Sequence, residues 1–152
     1  MKIQLKGCLT FSVCFLLLLS CQSPESRSGS PVKIIFDSDM GPDYDDVGAL
    51  TILHAFADSG EAEILATMAS NQYELVAPCL EVINTYYDRP SIPIGSPKTH
   101  GVNMGCSQHW SDSLVAHFPH HLASTSQAQD AVYLYRKILV WQICRNNICI
   151  AH

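Results

Sequence analysis

Hydrophobic and polar positions in the middle of the chain recur with the periods of strands and helices. Apolar, β-branched runs predict strands over Val32–Phe36, Glu63–Ala69 and Ile92–Ile94. Between them, apolar residues recur every three to four positions and predict helices over Asp45–Asp58 and Gln72–Tyr87. The order β-α-β-α-β is typical of an α/β fold. We therefore expect an open, mostly parallel sheet with helices on both faces.

The second half of the chain shows weaker periodicity. Gly95–Ser126 is rich in loop-forming residues and contains one short predicted helix, Ser111–His117. Gln127–Leu139 has the apolar stripe of a further helix. Val140–His152 follows the pattern of neither a strand nor a helix, and we expect an aberrant, unstructured tail there.

The start of the chain has the features of an export signal. A basic beginning precedes the apolar run Phe11–Leu19, which is too short to cross a bilayer core that needs about 20 residues. We expect residues 1–20 to be a removable signal peptide. The letters LLSC ending at Cys21 resemble the lipobox of bacterial lipoproteins, in which the cysteine is acylated and becomes the first residue. Residues 21–30 would then form a flexible tether.

This interpretation makes the protein an exported lipoprotein, held to a membrane of the bacterial cell envelope through its lipid alone. The alternative is ordinary signal cleavage, with Cys21 an incidental residue near the cut. An apolar fraction of 47% is ordinary for a packed globular domain. A formal net charge of −5, more negative once the two leader lysines are removed, argues against nucleic-acid binding, which relies on clustered cations.

The cysteines give little further chemistry. Beyond the leader and Cys21, four cysteines remain, at Cys79, Cys106, Cys144 and Cys149, and no two of them form a CxxC pair. A zinc site is therefore not expected. Export would permit a disulfide among them, but the sequence does not indicate a pairing. Cys79 falls on a helical apolar stripe, which predicts a small buried hydrophobic residue.

The clearest chemical signal is an acidic cluster, DSDMGPDYDD, over Asp37–Asp46. It holds five carboxylates within ten residues and no lysine or arginine. The cluster begins where an apolar strand ends and finishes where a helix begins, which is the edge where open α/β sheets bind ligands. Crowded carboxylates repel one another unless a cation neutralises them, and oxygen ligands favour Ca²⁺ or Mg²⁺ over zinc. The alternative is a solvated acidic loop.

Two other acidic motifs fit less well. An EF-hand loop counted from Asp37 would need glycine and glutamate where the chain has Pro42 and Gly48. A haloacid-dehalogenase-like phosphatase also has Asp-x-Asp after a strand, but it has threonine or valine where this chain has Gly41. That motif also leaves the Asp45–Asp46 pair unexplained, so the phosphatase remains a minor alternative.

The sequence resembles the inosine-uridine-preferring nucleoside hydrolases. The resemblance rests on VKIIFDSDMGPDYDDVGAL, on EAEILATMASN with its terminal Asn71, and on RPSIPIGSPK. It covers Val32–Lys98 well and Gly101–Leu139 loosely. The family has a strand, Asp-x-Asp-x-Gly, and an Asp-Asp pair that opens an apolar helix. The resemblance implies an enzyme that hydrolyses the N-ribosidic bond of a nucleoside to base and ribose.

The resemblance also implies a role for each residue of the site. Asp39 would bind Ca²⁺, with Mg²⁺ less favoured, and act as the general base on the attacking water. Asp46 would be the second carboxylate ligand, Asp45 would bind a ribose hydroxyl, and Asn71 would orient the sugar. Asp37 would support the cluster from the strand end. The partner would be a nucleoside or another ribose-containing small molecule. The sequence leaves open whether the chain forms a homo-oligomer.

This chain departs from the family in three ways. Asp43 adds a carboxylate without an assigned role, and Ser70 precedes Asn71 where the family has glycine. Family members are also longer and draw further ligands from a later part of the chain. Residues 31–139 therefore resemble the N-terminal part of such a domain, truncated before the later ligands. The alternative is a non-catalytic, cation-binding lipoprotein, and we expect the mature chain to release no base from inosine or uridine.

The histidines are not predicted to form a site. His109, His117, His120 and His121 fall in or near loops, and we expect them at the surface. His54 falls on the apolar stripe of a predicted helix and is expected in the core or at its boundary.

Overall fold

The computed structural model describes residues 29–143. The predicted signal peptide, Cys21 and the part of the predicted tether before Gly29 lie outside this range, as do residues 144–152. The strands are β1 (Val32–Ser38), β2 (Ala62–Ala69), β3 (Ile94–Ser96) and β4 (Gln129–Asp130). The helices are α1 (Asp45–Asp58), α2 (Val76–Tyr86), α3 (Trp110–His117) and α4 (Ala131–Ile143), and a 3₁₀ turn spans Thr125–Gln127. No helix among these residues is long and apolar enough to cross a membrane.

The four strands form one parallel sheet in the order β1-β2-β3-β4. Side chains of alternate residues of β1 lie on opposite faces of the sheet, since Ile34 and Phe36 pack into one apolar cluster and Ile35 into another. The first cluster contains buried residues of α1 and α2 and is flanked by α3, whereas the second contains Leu134 of α4. The predicted fold class, an open parallel sheet with helices on both faces, is confirmed.

The bounds of α1 agree with the sequence prediction, and its buried residues Leu50, Leu53 and His54 lie on the predicted stripe. Cys79 is also fully buried, as expected. Helix α2 begins at Val76 rather than Gln72. The backbone N–H of Tyr73 donates instead to the side chain of Asn71, so the preceding residues form a loop rather than a first helical turn.

The region after β3 differs most from expectation. A two-residue strand, β4, precedes the last helix, and Asp130 caps that helix by accepting a hydrogen bond from the N–H of Tyr133 at 2.8 Å. Helix α4 therefore begins at Ala131 rather than Gln127.

The prediction of an unstructured tail from Val140 is wrong for its first four residues, because α4 continues to Ile143. Gln142 is fully buried and accepts a hydrogen bond from Lys33 Nζ at 2.9 Å, which holds the last turn against β1. A polar glutamine at a buried position concealed the end of this helix in the sequence pattern. The remainder of the predicted tail, residues 144–152, lies outside the described residues.

Candidate metal centre

The acidic loop joins the carboxyl end of β1 to the amino end of α1. Ser38, the last residue of β1, is buried, and its hydroxyl oxygen accepts a hydrogen bond from the N–H of Met40 at 3.0 Å. Met40 itself is fully buried in the cluster beneath α1 and α2. This apolar anchor holds the loop to the core, so the neighbouring carboxylates remain at the edge of the sheet.

Three carboxylates of the loop come together at the start of α1. Oxygen atoms of Asp43, Asp45 and Asp46 lie within 4.8 Å of one another, with Asp43 and Asp45 exposed and Asp46 partly buried. Asp45 and Asp46 form the first turn of α1. The unpaired N–H groups there stabilise negative charge, which partly offsets the repulsion within the cluster.

Asp39 is a neighbour of Asp46, which belongs to this cluster. Partial burial, followed by a hydrogen bond with the Asp39 carboxyl and the charges of Asp39 and Asp45, raises the pKa of Asp46 to about 6. A hydrogen bond from Ser38 opposes this shift. Hydrogen bonding with Asp45, followed by its charge, likewise raises the pKa of Asp43. Asp39 is itself exposed and lies outside the closest group of oxygens, but it is near enough to Asp46 to raise the pKa of that carboxyl.

Asp37 lies in β1 and faces a different element. Its Oδ2 accepts a hydrogen bond from the Tyr135 hydroxyl of α4 at 2.7 Å, and its Oδ1 is buried without a hydrogen-bond partner among the described residues. Burial and this hydrogen bond raise the pKa of Tyr135, so the hydroxyl stays protonated and continues to donate. Asp37 is thus hydrogen-bonded to α4 at the end of β1 and is not a member of the carboxylate group at the start of α1.

Asn71 lies beside Asp39 because β1 and β2 end together, with the N–H of Ser70 donating to the carbonyl of Ser38. Its side chain is fully buried. The Nδ2 group donates to the carbonyls of Asp39 at 3.0 Å and Met104 at 2.8 Å. Its Oδ1 accepts from the N–H groups of Tyr73 at 3.0 Å and Met104 at 3.1 Å.

These four contacts use both donors and both acceptor positions of the Asn71 amide. The amide therefore fastens the Asp39 loop to the loop that carries Met104. In this arrangement no hydrogen-bonding position of the amide is free for a sugar hydroxyl, so the predicted contact with ribose would require one of these bonds to open.

The donor set fits a hard divalent cation. Three carboxylates converge within 4.8 Å, and burial followed by the neighbouring Asp39 and Asp45 raises the pKa of Asp46, so a cation there would relieve their repulsion. Calcium takes six to eight oxygen ligands in flexible geometry, and carboxylates suit it. Asp39, Asp46 and the neighbouring Asp43 and Asp45 are the residues that would hold such an ion.

Sequence reasoning left three contributors unassigned. Asp43 was noticed only as an extra carboxylate, yet it belongs to the closest group of oxygens. The sequence indicates no role for Ser38 beyond its place at the end of a predicted strand. The contact of Tyr135 with Asp37 joins residues 98 positions apart, and periodicity within one helix carries no information about it.

None of the described histidines belongs to this group of carboxylates. His54 is fully buried and bonded to Asn84, which confirms its predicted place in the core. His109, His117 and His121 are exposed, as expected, and His120 is partly buried. The backbone N–H and imidazole of His121 contact the Glu81 carboxylate, which tethers that loop to α2.

Comparisons with known proteins do not assign this chain to a family. No protein-family model matches the sequence. A search of curated proteins likewise finds no significant match. The geometry of the site and the sequence motif are therefore the grounds for a functional proposal.

Proposed function

We propose that the carboxyl edge of this sheet holds a Ca²⁺ ion and is a site for hydrolysis of the N-ribosidic bond of a nucleoside, which completes the reaction only where the further ligands of the family are also supplied. The observation that carries the proposal is the convergence of Asp43, Asp45 and Asp46, whose oxygens lie within 4.8 Å of one another at the start of α1, with Asp39 near enough to raise the pKa of Asp46. Such crowding is stabilised by a bound cation. The order of strand, acidic loop and helix, which resembles that of the nucleoside hydrolases, supplies the choice of reaction.

The residues present have distinct tasks in such a reaction. Cleavage of a ribose–base bond passes through an oxocarbenium-like transition state, and the attacking water must lose a proton. A bound calcium ion would lower the pKa of that water and orient the ribose diol. The Asp39 carboxylate would accept the proton. Asp45, exposed at the start of α1, would accept a hydrogen bond from a ribose hydroxyl, and Ser38 would orient Asp46 through the hydrogen bond between them.

Cation binding without catalysis is the second candidate, and the state of Asn71 favours it. The amide expected to orient the sugar is fully used by backbone groups of two loops. The cluster also gains Asp43, which has no role in the proposed hydrolysis. These features favour a loop that holds a cation, in which Asp45 is the one residue proposed to contact a sugar.

One set of measurements separates the two candidates. Calcium binding is measured by calorimetry at pH 7.5, and base release from inosine and from uridine is measured by chromatography with calcium or a chelator. Both candidates predict binding that Asp39→Ala weakens by more than about tenfold, as loss of a carboxylate ligand should. Asp88→Asn is the matched control, because Asp88 is exposed outside the cluster and its φ of 57° suits asparagine.

The outcomes are distinct. Calcium-dependent base release that is lost in Asp39→Ala and kept in Asp88→Asn supports the hydrolase. Calcium binding without base release from either nucleoside supports the cation-binding protein and rejects the hydrolase for this chain. Failure of the unsubstituted chain to bind calcium, or equal binding by Asp39→Ala, contradicts both.

A further inference from the structure

Helix α4 exposes an unusual surface on the side that faces away from the sheet. Its buried side carries Leu134 and Gln142, and Ile138 packs with them against the second apolar cluster. Ala131, Tyr135 and Leu139 also pack against this cluster. At 100° per residue, the six exposed positions of the helix form one continuous face. We call this face the α4 outer surface, and its members are Val132, Tyr133, Arg136, Lys137, Val140 and Trp141.

Four of these six side chains are large and apolar, and they are exposed by 56% at Val132, 61% at Tyr133, 63% at Val140 and 52% at Trp141. The other two are exposed cations, Arg136 and Lys137. The α4 outer surface contains no carboxylate, although the chain as a whole is acidic. Helices that lie on membranes combine apolar and aromatic residues with lysine and arginine in this way.

The chain that leads back to Cys21 starts beside the same surface. Lys33, the second residue of β1, donates to Gln142 and lies with its Nζ 5.9 Å from the centre of the Trp141 ring. The amino end of β1 therefore lies at the Trp141 end of α4. Cys21 precedes Val32 by 11 residues, a length of chain that spans at most about 40 Å even when fully extended.

A second feature enlarges the apolar area at this end. An open groove of about 850 Å³ runs along the α4 outer surface, whose members except Val132 line it, and Leu65, Pro93 and Ile138 add apolar lining from outside that surface. The lining members include Arg136 and Lys137. The groove places further apolar surface next to the cations, as an interface with lipid headgroups and upper acyl chains requires.

We propose that the α4 outer surface rests on an anionic phospholipid bilayer, as a second membrane contact beyond any lipid anchor. A second copy of the chain fits this surface less well, because a two-fold pairing of α4 with itself brings Arg136 and Lys137 of both copies together. Trp141 lies at the amino edge of the strands, whereas the acidic loop lies at their carboxyl edge. Contact through the Trp141 end therefore leaves the candidate metal centre facing the aqueous side.

The two tryptophans of the chain allow a direct test. The full chain is mixed with phosphatidylglycerol vesicles whose acyl chains carry bromine, a short-range quencher of tryptophan emission. Trp110→Phe leaves Trp141 as the reporter, and Trp141→Phe leaves Trp110, which lies at the carboxyl edge near Tyr44. We expect at least a twofold greater loss of emission from Trp141 than from Trp110, and a blue shift of Trp141 alone.

Charge variants test the electrostatic part of the proposal. Each cation near an anionic membrane contributes about 1 kcal/mol to binding, and about 1.4 kcal/mol corresponds to a tenfold change in affinity. Arg136→Gln with Lys137→Gln should therefore weaken the affinity of the surface for the vesicles by roughly 30-fold. Quenching of Trp141 should then fall to the level of Trp110. Thr99→Glu with Gln108→Glu is the matched control, because both residues are exposed at the carboxyl edge and the change in net charge is the same.

Three results overturn the proposal. The first is equal quenching of Trp141 and Trp110 in chains that sediment with the vesicles, or failure of the chain to sediment with them. The second is quenching of Trp141 that is the same with phosphatidylcholine as with phosphatidylglycerol. The third is a dimer, seen by sedimentation without lipid, that Val140→Glu dissociates, because a second copy then covers the surface.

Discussion

Two polar clusters in this protein differ in how their charges and hydrogen bonds are satisfied. One is the interior chain of His54, Asn84 and Thr67, all at most 1% exposed, which links α1, α2 and β2. The other is the acidic loop between β1 and α1. In the interior cluster each side chain is the partner of the next, whereas the carboxylates of the acidic loop crowd one another.

The interior cluster has a defined direction. Asn84 Nδ2 donates a hydrogen bond to the Thr67 hydroxyl at 3.1 Å. Asn84 Oδ1 therefore faces His54 Nε2 at 3.1 Å and accepts a hydrogen bond from its N–H. His54 Nδ1 then faces the Arg89 guanidinium at 3.5 Å as an acceptor. Arg89 is paired in turn with Asp58. This arrangement stabilises the fold and leaves few unpaired charges or hydrogen-bonding groups that an external ligand could satisfy.

The acidic loop is the converse case. Hydrogen bonding with Asp45 and then its charge raise the pKa of Asp43; burial, followed by Asp39 and Asp45, raises the pKa of Asp46, which only a neutral serine hydroxyl opposes. The comparison teaches that polar groups which satisfy one another hold the fold together, whereas crowded like charges are held in place by the fold. Natural proteins keep such unfavourable sites where function requires them.

The largest expected effect comes from breaking the interior cluster. Asn84→Leu leaves the His54 N–H and the Thr67 hydroxyl buried without their partner, which should lower the free energy of unfolding by about 2–4 kcal/mol. Thr85→Val is the matched control in the same helix, because Thr85 Oγ1 is buried without a partner among the described residues. Urea denaturation measures both changes. Similar losses for the two variants would show that the interior cluster contributes little.

A smaller effect of opposite sign is expected at the acidic loop. Asp46→Asn removes one of the crowded charges and should raise the free energy of unfolding of the metal-free protein by up to ~1 kcal/mol at pH 7.5, given partial screening by solvent. The same variant should lose stabilisation by added calcium, which binds the folded state. Thermal denaturation with chelator and with calcium measures both effects. A destabilised metal-free variant would mean that Asp46 is paired within the fold.

The smallest effect concerns pH. Burial, and then the nearby Arg89 charge, lower the pKa of His54, against the opposing hydrogen bond to Asn84. The unfolded chain therefore binds a proton below about pH 6.5 that the folded chain resists, so this residue makes stability fall as pH falls through that range. Thermal midpoints between pH 7.5 and 5 should fall less in His54→Gln than in the exposed-site control His100→Gln. Equal slopes would show that His54 is not held neutral.

Local sequence patterns determined the sheet and the place of its chemistry. Continuous apolar runs predicted β1 and β2 because strands buried on both faces need apolar side chains throughout. The bounds of α1 followed from its 3.6-residue stripe. The position of the acidic cluster after β1 then placed it at the carboxyl edge, because the chain order implied parallel strands.

Contacts between distant residues decided the remainder. The role of Asn71 depends on Met104, 33 positions later, and the continuation of α4 depends on Lys33, 109 positions before Gln142. A periodic pattern reports which side of an element faces the core, since that depends on neighbours along the chain. Which atoms meet across the core depends on packing of all the elements together, so only the tertiary structure decides it.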